Sequence, residues 1–120
     1  MPRPLVMVVD DEETSVRICQ EALSLEGYEV VSAGGPREAM DLLNAREVDA
    51  IVCDVQMPHN GQRVFEFLLD RYPQLAGRFI FITGSQTRKT EIERMDLRIP
   101  CLLKPFSIRV LLDTLRATLA

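Results

Sequence analysis

Strand-like and helix-like stretches alternate five times along this chain, and nothing else in the sequence restricts its fold as strongly. LVMVV (5–9) is a continuous apolar run rich in valine, the pattern of a strand buried on both faces. Val16, Cys19, Ala22 and Leu23 then fall on one helical face, and Gly27 can end that helix. YEVVSA (28–33) reads as a second strand and GGP (34–36) as a turn, with Pro36 suited to the first turn of a helix that Ala39, Leu42 and Leu43 continue. DAIVCD (49–54) is a third short strand. Val64, Phe65, Leu68, Leu69 and Tyr72 recur at helical spacing until Pro73 stops them. RFIFIT (78–83) is a fourth strand. The polar stretch 86–96, with Ile92 and Met95 as its only large apolar residues, is assigned to a helix. CLLK (101–104) is a short fifth strand, and Ile108, Leu111, Leu112, Leu115 and Leu119 form an unbroken helical stripe.

Such alternation implies right-handed strand–helix–strand crossovers and a parallel sheet covered on both sides. The expected architecture is a flavodoxin-like, doubly wound α/β fold: five parallel strands in the order 2-1-3-4-5, with helices on both faces. At 120 residues the chain has room for one core, so a single domain over 1–120 is expected, with no output domain within the chain. The net charge of −4 comes without a basic stripe, which argues against nucleic acid as a direct ligand. The apolar run in MPRPLVMVV is too short for a signal peptide and ends in acid, and no stretch approaches the roughly 18 apolar residues of a membrane span. A soluble, cytoplasmic protein is expected. Cys19, Cys53 and Cys101 lie far apart in apolar surroundings, without metal-ligand spacing, and read as buried reduced thiols.

The first strand runs directly into Asp10, Asp11, Glu12 and Glu13. Two unit charges about 5 Å apart repel by roughly 3 kcal/mol at an effective dielectric of ~20, so these side chains either fan into water or surround something positive. In open α/β sheets, ligands sit beyond the carboxyl ends of the strands where the strand order reverses. In the order 2-1-3-4-5, that point lies between strands 1 and 3. Asp10 and Asp11 end strand 1 and Asp54 ends strand 3, while Thr83 ends strand 4 and Lys104 ends strand 5 at the same edge. Oxygen ligands with one distant ammonium suit a hard divalent cation, and Mg²⁺ needs only one or two carboxylates because it keeps several waters. Asp10 and Asp11 are assigned to such a site. Glu12 and Glu13 are read instead as a solvated helix start, where acids favour the helix dipole.

VVDDEE, IVCDVQMP, FITGS and LLKPF, in this order and at these separations, resemble the receiver domain of two-component response regulators across essentially the whole chain. The resemblance implies a phosphorelay protein that takes a phosphoryl group from a histidine kinase or histidine phosphotransfer domain, with Mg²⁺ required and Mn²⁺ as a substitute. It implies that Asp54 is the phospho-acceptor. Asp11 would bind the metal directly, Asp10 largely through water, and the backbone carbonyl of Gln56 would add a ligand. Thr83 is implied to be the switch hydroxyl and Lys104 the partner of the phosphoryl oxygens. An X-Pro bond adopts the cis form at low cost, and a cis Lys104-Pro105 bond aiming the lysine inward is implied. Transfer would change the surface of helix 4, strand 5 and helix 5. Such a domain catalyses its own phosphotransfer and acyl-phosphate hydrolysis without being an enzyme in the ordinary sense, and it is a monomer or weak dimer.

Two positions depart from the family pattern. The switch aromatic should lie three residues before Lys104, where Cys101 stands, so local movement or ordering of helix 4 is expected in place of a swinging ring. Gly61 comes one residue earlier after Asp54 than the family's turn glycine, which shortens the loop. His59 in that loop reads as an ordinary exposed histidine. The alternative from another class is a pseudo-receiver, the same fold used as an unphosphorylated docking module, but acceptor, metal acids and lysine are all present. An aspartyl phosphatase needs a second acid two residues after the nucleophile, and Gln56 cannot titrate. A flavin carrier needs a phosphate loop after strand 1, where an acidic loop would repel phosphate. A receiver attached to, or cut from, a hybrid histidine kinase is slightly favoured over a free-standing regulator; an output or kinase domain in a parent protein stays open.

Overall fold

A computed structural model of the chain describes residues 3–55, 62–95 and 98–120. Five strands, β1 (Leu5–Val9), β2 (Glu29–Ala33), β3 (Ala50–Asp54), β4 (Phe79–Thr83) and β5 (Cys101–Leu103), form one sheet in the order β2-β1-β3-β4-β5. All pairings are parallel. Five helices alternate with them: α1 (Glu13–Leu25), α2 (Pro36–Ala45), α3 (Gln62–Arg71), α4 (Gln86–Arg94) and α5 (Ile108–Leu119). The doubly wound fold read from the sequence is the one observed.

Local chemistry explains where the elements begin and end. Gly27, with φ of 92°, takes the left-handed conformation that turns the chain from α1 into β2. Pro36 opens α2, where a missing N–H costs nothing. The Ser85 and Ser107 hydroxyls accept the amides of Arg88 (3.1 Å) and Val110 (3.0 Å), capping α4 and α5. Pro73 ends α3 as expected, but it also starts a 3-10 helix over Pro73–Arg78 that the sequence reading missed. That turn packs Leu75 into the core and takes Arg78 out of β4.

The two faces of the sheet carry separate cores. Val6, Val8, Ala50, Val52, Ile80 and Ile82 pack on Cys19 and Leu23 of α1 and on Leu111, Leu112 and Leu115 of α5. Their alternate neighbours Met7, Val9, Ile51, Cys53, Phe79, Phe81 and Cys101 face α2, α3 and α4. Phe65 of α3 meets both Phe79 and Phe81 edge-on, with ring centroids 5.1 and 5.6 Å apart. Because strand side chains alternate with period two, the same parity carries past the strand ends. Asp10, Asp54 and Lys104 each follow a residue of the α1/α5 face by two positions, whereas Thr83 follows Phe81 on the opposite face.

Candidate functional site

Adjacency of β1 and β3, with Val9 opposite Cys53, sets the next residues of both strands side by side at the carboxyl edge of the sheet. Asp10 and Asp54 are both buried there. Lys104 comes from the far side of β4, just beyond β5, and its side chain crosses the edge to reach them. Its Nζ donates to Asp10 Oδ2 at 2.8 Å, to Glu12 Oε1 at 2.9 Å and to Asp54 Oδ2 at 3.0 Å. An ammonium has three hydrogens, and these contacts use all of them. The other Asp10 oxygen, Oδ1, accepts the backbone N–H of Glu12 at 3.0 Å.

Carboxylate oxygens of Asp10, Glu12 and Asp54 lie within 4.8 Å of one another. Three carboxylates around one ammonium leave the cluster short of positive charge. Burial pushes the Asp10 carboxyl above its ordinary range, and the hydrogen bond from Lys104 only partly opposes that. Burial pulls Lys104 the other way, but its hydrogen bonds to the three carboxylates outweigh desolvation and hold its ammonium above the ordinary lysine range. The bond to Lys104 lowers the Glu12 carboxyl. An oxygen-only donor set with a deficit of positive charge fits a hard divalent cation.

Other sequence-derived candidates take distinct places. Asp11 is exposed, makes no hydrogen bond or ion pair among the described residues, and lines a cleft with Glu13, Arg17, Gly34 and Glu38 beside Asp10. Thr83 is fully buried at the same edge, and its Oγ1 accepts the amide of Ser85 at 3.1 Å. The carbonyl of Thr83 accepts the Lys104 amide at 2.7 Å, which ties the start of the lysine segment to β4. The Lys104-Pro105 bond is cis. Cys101 is buried opposite Phe81 in the sheet register. Gln56, His59 and Gly61, and with them the metal-ligand carbonyl, the exposed-histidine reading and the short loop, lie outside the described residues.

The sequence reading missed the role of Glu12. It stands at the N-cap of α1 and would be expected to serve the helix, yet its side chain makes no capping bond and turns to Lys104 instead. No local signal marks this, because the partner lies 92 residues away. The thiols behave as anticipated: burial, then the charge of Asp10, pushes Cys19 up to about 11, and burial likewise raises Cys53 and Cys101.

The family model described as the response regulator receiver domain matches residues 6–116. Response regulator SaeR of Staphylococcus epidermidis is 32% identical over 108 residues, which cover 88% of this chain and 46% of that protein. SaeR of Staphylococcus aureus is also 32% identical over the same coverage. The chain thus spans about half the length of the curated relatives it matches. Among solved structures, the signal receiver domain of an HD domain-containing protein from Pseudomonas fluorescens superimposes with a TM-score of 0.86 at 27% identity, covering 99% of this chain and 88% of that one. The beryllofluoride-activated NtrC4 receiver domain dimer gives 0.85 at 31% identity, with 96% and 95% covered. Chemotaxis protein CheY4 of Vibrio cholerae gives 0.81 at 26% identity, with 97% and 98% covered.

Proposed function

This chain belongs to the response regulator receiver domain family, a family of two-component signalling, and from that premise we propose that it accepts a phosphoryl group on Asp54. The observation that carries the reading is the 3.0 Å contact between Lys104 Nζ and Asp54 Oδ2 in a pocket shared with Asp10. A carboxylate attacking phosphorus meets negative charge on the incoming group, and a fixed ammonium beside the attacking carboxylate offsets that repulsion.

The donor is a phospho-histidine on a histidine kinase or a histidine phosphotransfer domain. One Asp54 oxygen forms a bond to phosphorus while the phosphorus–nitrogen bond breaks, and the departing imidazole nitrogen keeps the electron pair and takes up a proton. No general base is required, since Asp54 attacks as the anion. Asp10, Asp11 and Asp54 would hold Mg²⁺, which when bound supplies positive charge against the phosphoryl oxygens. Lys104 pairs with the same oxygens, and burial of Asp54 limits the approach of water to the mixed anhydride.

The signal leaves through Thr83 and α4. Thr83 Oγ1 holds the amide of Ser85, and Ser85 Oγ in turn caps α4 through Arg88. A phosphoryl oxygen that draws the Thr83 hydroxyl toward Asp54 weakens the first of these bonds and disturbs the second. Among the described residues of α4 only Ile92 is buried, so the helix has little packing to resist a shift. Cys101 is too small to relay the movement as a ring would. The test is incubation with phosphoramidate and Mg²⁺ followed by intact mass: a single phosphoryl adduct on the wild type, absent from Asp54→Asn, supports the reading. No adduct from a small donor or a phosphorylated kinase favours the unphosphorylated docking module.

A further inference from the structure

Lys104 has no hydrogen left for a phosphoryl oxygen, because Asp10, Glu12 and Asp54 occupy all three. If Asp54 is the acceptor, the lysine must let one carboxylate go. The three are not equivalent. The Asp10 side chain has no exposed surface, so releasing it strands a buried charge, whereas Glu12 is 62% exposed and its carboxylate returns to water. Asp54 stays beside the lysine when Oδ1 is the attacking oxygen, since Oδ2 then becomes the acyl carbonyl and still accepts from Nζ. Glu12 is therefore the partner that can leave.

We propose that Glu12 is a positioning residue, a displaceable counter-ion that holds Lys104 across the pocket mouth and yields its place to a phosphoryl oxygen during transfer. This inference rests on the reading of Asp54 as acceptor. Glu12 acts through Lys104 in two ways, by competing for one ammonium hydrogen and by adding negative charge where an anionic donor approaches. Both slow phosphorylation of the resting domain. Its side chain caps no backbone N–H of α1; it does bond the side chain of Ser15 in the first turn, a bond that glutamine can keep.

The experiment follows the rate of adduct formation by intact mass for the full chain with phosphoramidate at saturating Mg²⁺, comparing wild type, Glu12→Gln and Asp54→Asn. Glu12→Gln is expected to be phosphorylated roughly two- to fivefold faster, a gain in keeping with the weak energy of exposed ion pairs. The gain should shrink as ionic strength rises, which loss of a merely structural contact would not produce. As a second readout, binding of beryllofluoride with Mg²⁺ should move the Glu12 side-chain carboxyl ¹³C resonance toward its position in Lys104→Ala. An adduct on wild type that Asp54→Asn abolishes, with Glu12→Gln no faster or a carboxyl resonance unmoved by beryllofluoride, overturns the counter-ion role and leaves the acceptor reading standing. No adduct on wild type overturns the acceptor reading and the counter-ion role with it.

Discussion

Lys104 and Asp54 lie 50 residues apart in sequence, at the ends of strands that are not neighbours, yet Nζ and Oδ2 are 3.0 Å apart. The lysine reaches over the end of β4 to do this, and it carries the two other carboxylates with it. The contact depends on parity as much as on strand order. A one-residue slip of β3 would send Asp54 to the α2/α3 face and leave the lysine over Cys53 or Val55, depending on its direction.

Asp11 is exposed and unpaired among the described residues, while both oxygens of Asp10 are already engaged. Asp11 is thus free to take a metal directly. Mg²⁺ titration followed by thermal melting should raise the melting temperature of the wild type, by an amount equivalent to about 2.7 kcal/mol at one hundred times the dissociation constant. Asp11→Asn should remove most of that gain, and Glu12→Gln should keep most of it. Equal losses in the two variants would show that Asp11 has no special part in holding the ion.

The buried Asp10 carboxyl should make the metal-free fold sensitive to pH. Its folded value lies above the ordinary 3.8, so the unfolded chain gives up this proton more readily. Stability from the protonated form is complete below the unfolded value and is lost as pH rises through the folded one. Asp10→Asn, without Mg²⁺, should therefore melt higher than wild type at neutral pH, and the difference should vanish below about pH 3.8. A variant that melts lower at neutral pH would mean that the Lys104 contact outweighs desolvation.

Ser85 links the pocket edge to α4 by its amide and its hydroxyl. Ser85→Ala keeps the first bond and removes the cap, which should cost about 1 kcal/mol in denaturant unfolding. Hydrogen exchange of the α4 amides should quicken more than that of α5. Unchanged exchange in α4 would place the support of this helix elsewhere.

Most of the fold was legible because the signals were local and repeated. Fully buried strands read as apolar runs, helical stripes marked their own faces, and Gly27, Pro36 and Pro73 marked boundaries. The 3-10 helix over Pro73–Arg78 escaped because a proline that ends one helix reads equally well as the start of a loop. Arg98, at φ of 58°, gave no warning either, since nothing in its side chain favours the left-handed region. At the pocket, strand order alone brought Asp10, Asp54, Thr83 and Lys104 to one edge. The distribution of the lysine's three bonds was not legible, because it depends on how far a flexible side chain reaches and on which carboxylate remains in water.

The most direct test of Asp54 as acceptor is chemical trapping. The chain is treated with phosphoramidate and Mg²⁺, reduced with borohydride to convert an aspartyl phosphate to homoserine, and digested for peptide mass spectrometry. Homoserine at position 54 alone is the expected result. Homoserine at position 10 or 11, phosphate retained on His59, or no modification in the presence of a competent donor would contradict it.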